Sequence, residues 1–320
     1  MGASPVDRRR GVAWGKAAGK VAIAAVVAVA LRRYVLSTWD DFRKHGQSLQ
    51  VDAGWVAASC GVYLVGLSCF GLYFGRVLEA RPLPALRAYL MSHLGKYVPG
   101  KAMVVVLRAG LMAPTGTRPA TSAFATLYET LVMMAAGGFV AAIGFATAPG
   151  PLQAIPALAG LGLGVGFLVL VEPRVFPRLS GLIRVPFPSV GPDALPALSH
   201  RKLAEGLIWA SVGWTLLGLS QVAAVRALFP DGVEPRSWPL VGAGVALATV
   251  SGFVSGLPGG AFVREWVLLK TLSPAVGEDR AVVSAIALRL TWVLGEASAA
   301  AALALVRPGS RSRSRSRGDA

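Results

Sequence analysis

Charge is scarce in this sequence. Only 15% of its 320 residues are Asp, Glu, Lys or Arg, where soluble domains carry about 25%. A water-soluble fold of this chain would have too little polar surface to cover itself. Cysteine and histidine are rarer still: Cys60 and Cys69 share one apolar segment, and His45, His93 and His200 are scattered. With no CxxC, HExxH or Cys/His cluster, neither a structural zinc site nor a disulfide framework is expected, and both cysteines read as small helix-packing residues. No Walker motif GxxxxGK[ST] occurs, so ATP use is not expected, and no cofactor or metal is implied.

Apolar residues make up 54% of the chain, and mean hydropathy is +0.58. A hydrocarbon core about 30 Å thick needs about 20 apolar residues per helical crossing. Segments of that kind lie at roughly 17–37, 53–79, 119–148, 152–171, 203–229, 239–257 and 281–306. The expected class is an all-α integral membrane protein, a polytopic bundle of about seven or eight crossings. Trp39, Trp55 and Trp238 sit near proposed helix ends, as interfacial anchors do. The apolar run Val21 to Leu31 after Arg8, Arg9 and Arg10 has the outline of a signal peptide. Arg32, Arg33 and the later membrane segments favour an uncleaved first helix.

The net charge of +16, from 32 basic and 16 acidic residues, would raise nucleic-acid binding in a soluble protein. Here the basic residues gather at both ends and in two connecting stretches, as cytoplasmic segments beside anionic lipid do. No nucleic-acid partner is expected. With the amino terminus (1–16) cytoplasmic, the stretch Arg76 to Arg118 and the loop Glu172 to Lys202 also face the cytoplasm, and Pro230 to Trp238 falls outside. Arg32, Arg33, Arg43 and Lys44, assigned outside, run against that pattern. The Ser-Arg tail, 307–320, is expected to be disordered. The glycine run Gly160, Gly162, Gly164, Gly166 misses the GxGxxG spacing, and small residues four apart there and at Gly71/Gly75 suit close helix packing.

Two stretches, about 83–112 and 257–274, are apolar yet carry Pro, Gly and several charges. Non-helical backbone at membrane depth survives only where protein or a wet cavity satisfies its polar groups, so re-entrant or broken helices are expected. The two stretches resemble each other. Tyr97-Val-Pro-Gly100 is followed by Arg108, Leu111, Met112 and a helix bearing Glu129. Gly256-Leu-Pro-Gly-Gly260 is followed by Arg264, Glu265, Leu268, Leu269 and a helix bearing Arg289 and Glu296. This reads as a diverged internal repeat, about 83–148 and 239–306, the pattern that marks a transporter's midplane site.

A buried charge in lipid costs at least about 2.5 kcal/mol and normally faces a partner or a wet cavity. The candidate substrate-binding residues are Lys96, Pro99, Gly100, Lys101, Arg108 and Glu129 in the first half. In the second they are Pro258, Gly259, Gly260, Arg264, Glu265, Arg289 and Glu296. Half-helix amino termini after the Pro-Gly breaks suit an anion, and an anionic phospholipid or polyprenyl phosphate is the expected cargo. Arg289 and Glu296, two helical turns apart, share a face. Blander readings exist: Arg108 and Lys101 snorkelling to the interface, Glu129 as an arginine's structural partner, His93 and Trp266 as packing residues.

The pattern HLGKYVPGK…LRAGLM…YE and SGLPGGAFVREWVLLK…SAIALRLTWVLGE resembles the flippase-like family, also called the lysylphosphatidylglycerol synthase transmembrane region, over roughly 17–306. The resemblance implies a polytopic plasma-membrane protein that moves modified phospholipids or lipid-linked sugars between leaflets. The family commonly has a further glycine near Ala261. No aminoacyltransferase domain follows here, so lipid aminoacylation is not expected and the chain is read as a transporter, not an enzyme. Two rivals stand beside that reading. One is an integral-membrane transferase with Glu129 or Glu296 as base; the other is a non-catalytic anchor of a cell-envelope complex docking through the basic loops. A homo-oligomer or an envelope-biosynthesis partner fits either.

Overall fold

The computed structural model describes residues 50–98, 102–148, 153–182, 194–256, 260 and 262–305, with isolated helical positions between 25 and 40. The expected first helix (17–37) falls largely outside the described residues, as does the tail, 307–320. All regular structure described is helical: α1 Ala53–Val77, α2 Pro82–His93, α3 Ala102–Met112, α4 Pro119–Thr147, α5 Ala154–Val171, α6 Phe176–Leu182, α7 His200–Leu228, α8 Trp238–Val254, α9 Val263–Val276 and α10 Glu278–Leu305. Six of these (α1, α4, α5, α7, α8 and α10) are long and apolar enough to cross a membrane, which points to a multi-pass membrane protein. At about 1.5 Å per residue, α2, α3 and α9 span only about 17–21 Å each.

Helix ends follow capping chemistry more closely than hydropathy. Asp52 Oδ1 accepts from the N–H groups of Gly54 (2.7 Å) and Trp55 (3.1 Å), starting α1. Ser199 Oγ accepts from Lys202 N–H at 3.2 Å, so α7 opens at His200, three residues ahead of its apolar stretch. Its first turn is polar because it lies beyond the apolar core. Helix α10 likewise gains Glu278 and Asp279, whose charges suit a helix amino terminus. Pro82, Pro119 and Pro239 occupy first-turn positions, where a missing N–H costs nothing.

The helices pack through small residues, since lipid offers no hydrophobic drive to separate helix from lipid. A Cβ on Gly138 would lie 2.4 Å from Gly164 N, and one on Gly218 would lie 2.6 Å from Gly242 Cα, so α4–α5 and α7–α8 approach backbone to backbone. Gly160 and Gly164 pack on α4, whereas Gly162 and Gly166 meet nothing within 4 Å. Among the described residues only one face of the glycine run is used. Gly71 and Gly75 receive Tyr89 and Ala85 of α2.

Contacts fix which helix ends lie together. At one end, here the far end, Asp52 N–H donates to Ala227 O (2.8 Å), so α1 starts where α7 stops. Arg280 lies 3.8 Å from Asp231 and its guanidinium sits 4.9 Å from the Phe229 ring centre, which brings the start of α10 to that same end. At the near end, Lys202 Nζ donates to Glu79 at 2.7 Å, joining the exit of α1 to the start of α7. Helix α9 runs antiparallel to α8: Gly260 abuts Gly252, and Thr271 abuts Gly244. Gly260 has φ +70°, and a Cβ there would lie 2.8 Å from Gly252 Cα, so this approach demands glycine.

Candidate functional site

The charged residues inside the bundle gather into two clusters joined by an aromatic pair. The first is sealed. Arg108 of α3 and Glu129 of α4 are 2% and 1% exposed, and Arg108 NH1 lies 3.2 Å from Glu129 Oε2. Arg108 Nε donates to Ser92 Oγ at 3.1 Å, and Tyr89 OH donates to Glu129 Oε1 at 3.0 Å. The guanidinium also lies over the rings of Tyr89 (4.0 Å) and Phe74 (4.9 Å). Each charge therefore has its opposite, its hydrogen bonds and, for Arg108, two π faces. Arg108 does not snorkel to the interface; Glu129 is its partner.

The second cluster is organised by Glu296 of α10, itself 1% exposed. Its Oε1 accepts from Lys96 Nζ at 2.5 Å and from Tyr63 OH, and His93 Nε2 lies 3.8 Å away. Its Oε2 is buried and has no hydrogen-bond partner among the described residues. Lys96 is the accessible member, with 29% of its side chain exposed. Tyr63 stacks on Trp292 at 4.5 Å with 13° between ring planes, and Arg264 lies 4.8 Å from the Trp292 ring centre. Trp292 is held by its own N–H, which donates to Ser220 Oγ at 3.0 Å. Among the described residues no carboxylate lies within ion-pair distance of Arg264. Tyr89 and His93, one helical turn apart on α2, stack at 5.9 Å and bridge the two clusters.

Several sequence-predicted residues meet here and some do not. Lys96, Arg108, Glu129, Arg264 and Glu296 belong to these clusters. Arg289 shares a helix with Glu296 but pairs with Glu265 of α9, a more exposed ion pair. Gly260 serves the α8–α9 contact. Pro99, Gly100, Lys101, Pro258 and Gly259 lie outside the described residues. Sequence reasoning missed Tyr63, Tyr89, Ser92 and Trp292, and read His93 as packing. A signal existed for the tyrosines: each places a hydroxyl mid-way along an apolar helix, where the O–H needs an acceptor.

The clusters hold no group of three His, Cys, Asp or Glu side chains suited to a metal among the described residues. They bring together cations with carboxylates close enough to compensate them and, among the described residues, one cation, Arg264, with no carboxylate within ion-pair distance. No family model matches the sequence, and no curated protein matches it significantly.

Proposed function

We propose that this protein is a lipid transporter that lets an anionic head group cross between leaflets along the Lys96–Glu296–Arg264 cluster while the acyl or prenyl chains stay in lipid. The observation that carries the reading is Arg264. A guanidinium inside a membrane bundle with no carboxylate beside it among the described residues, held over an indole, is an anion acceptor in waiting. Lys96, half-accessible and tied to Glu296, supplies a second positive group within the same cluster. The cargo is an anionic phospholipid or polyprenyl phosphate, and the membrane is the plasma membrane. The sequence resemblance to the flippase-like family agrees with this assignment. The chain moves its cargo without making or breaking a covalent bond.

The reading includes finer points of architecture. The stretch 82–112 dips from the near end to the level of Glu296 and returns; support comes from α2 lying back along α1 and from Lys96 reaching Glu296. Helix α9 crosses as a shortened helix, supported by Gly260 at Gly252 and Arg280 at Asp231. With the apolar segment expected at 17–37, which lies largely outside the described residues, the count is eight crossings, with the amino terminus, the near-end basic loops and the Ser-Arg tail all cytoplasmic. The two halves form an inverted pair of repeats, each bringing a broken segment and a buried carboxylate to the centre.

The test is a leaflet assay on purified protein in liposomes carrying head-group-labelled anionic phospholipid or polyprenyl phosphate. Protein-dependent loss of outer-leaflet protection for one lipid class, reduced at least about tenfold by Arg264→Ala, is the expected outcome. Correctly inserted protein that moves no lipid would remove the transport reading and leave the transferase or the complex anchor.

A further inference from the structure

We infer that the head group is a phosphate monoester carrying two negative charges, and that it enters together with one proton, taken up by Glu296. The inference rests on the transport reading and deepens it.

The argument is one of charge and of one vacant oxygen. Glu296 faces Tyr63 from α1, His93 from α2 and Lys96 from the turn that follows. Arg264 of α9 lies over Trp292 of the Glu296 helix, and Arg289 of that helix pairs with Glu265. Helix α7 contributes Ser220, which holds Trp292 and carries no charge. In the empty site Lys96 is compensated by Glu296, and Arg289 by Glu265. Among the described residues of the cluster Arg264 alone has no carboxylate within ion-pair distance, so their charges sum to one net positive and can neutralise only one negative charge on a ligand. A dianion would leave one negative charge uncompensated beside the buried Glu296 carboxylate, which is costly.

The carboxylate itself offers the remedy. Both donors on Glu296 converge on Oε1, and Oε2 is buried with no partner among the described residues. A buried acceptor left vacant is costly, and a proton is the smallest group that fills it. Protonated at Oε2, Glu296 keeps Tyr63 on Oε1, becomes neutral, and presents an O–H donor. Lys96 then loses its counter-charge. Two cations, Lys96 and Arg264, with one neutral donor match a phosphate monoester dianion in both charge and hydrogen bonding. The balance closes: one proton from solvent goes onto Glu296, two negative charges enter on the ligand, and the loaded site is neutral.

The test uses detergent-solubilised full-length protein and farnesyl phosphate, a short polyprenyl monoester, with dimyristoyl phosphatidylglycerol as a monoanionic diester. Calorimetric titration in buffers of different ionisation enthalpy counts the protons. The work is done at about pH 8, where the monoester, whose second pKa is about 6, is fully dianionic. Wild type takes up about one proton per farnesyl phosphate, and its affinity falls about tenfold per pH unit on raising the pH. Glu296→Gln, a neutral stand-in for the protonated acid that needs no proton, binds at least about tenfold more tightly than wild type at that pH, takes up no proton and loses the pH slope. His93→Gln retains the uptake, which places the proton on Glu296 and not on the imidazole.

Binding of farnesyl phosphate without proton uptake, uptake that persists in Glu296→Gln or is lost in His93→Gln, or binding of the diester alone would overturn the proton exchange and leave lipid transport standing. Binding of neither lipid by folded protein would overturn both.

Discussion

Arg108 and Glu129 illustrate how a membrane interior treats charge. Their burial is tolerable only because each completes the other, with Ser92, Tyr89 and Phe74 filling the remaining valences. Arg108→Ala would strand a buried carboxylate, and such single deletions cost about 3–5 kcal/mol. Thermal unfolding in detergent should therefore show a large loss for Arg108→Ala and a partial recovery for Arg108→Ala with Glu129→Ala; a double variant no more stable than the single would mean the pair is not what holds the site. Tyr63→Phe removes one of the two donors on Glu296, an interaction of about 1.5–3 kcal/mol for a charged acceptor. Its stability should drop by that order, with Lys96 left as the remaining donor to Glu296. The charges were legible in sequence because Arg and Glu stand out in apolar helices. Their partners were not, because Lys96 and Glu296 meet across 200 positions, and only folding decides that Arg289 turns to Glu265 instead.

Helix positions were legible from apolar run length, while helix ends were set by side chains that hydropathy ignores. Ser199 and the acidic pair Glu278/Asp279 extend α7 and α10 into polar sequence. The glycine run of α5 shows the same division. Its spacing announced helix packing, but two of its four glycines face α4 and two face away. The expected consequence is asymmetric. Gly164→Leu should push α5 off α4 and reduce the monodisperse fraction after detergent extraction, because overpacking costs about 1–3 kcal/mol or more. Gly162→Leu should behave as wild type, and equal damage from both would contradict the assignment of faces. Phe262, at the start of α9, has φ +65°, a conformation rare for bulky residues. Nothing in the sequence around Phe262 announced it.

The bundle as a whole has its ends fixed by a few polar contacts. Because Arg280 sits by Asp231, the chain must travel the length of the bundle between Val254 and Glu278. In a background lacking Cys60 and Cys69, single cysteines at Asp231 and Glu278 should be labelled from one side of intact cells. Cysteines at Thr117 and Ser199 should be labelled only after permeabilisation. Labelling of Glu278→Cys together with Ser199→Cys would mean that α9 does not cross. The sequence allowed 257–274 either to cross or to dip in, with the charge of its tail favouring a crossing; the contact between residues 231 and 280 is one that no local pattern encodes.

Helix α9 also has a history during synthesis. It is short, and it carries Arg264, Glu265 and Lys270, each costing about 2.5–3.5 kcal/mol at a helix centre for an isolated segment leaving the translocon. Its compensation is distant in time as well as space: Glu265 finds Arg289, and Arg264 finds Trp292, only after α10 has been made. If α9 crosses as proposed, it is therefore expected to settle only once the last long helix has been added, with α9 and α10 entering the bilayer as one unit. A nascent chain arrested short of Arg289 would hold α9 at the membrane surface, and release of the full chain would draw it in.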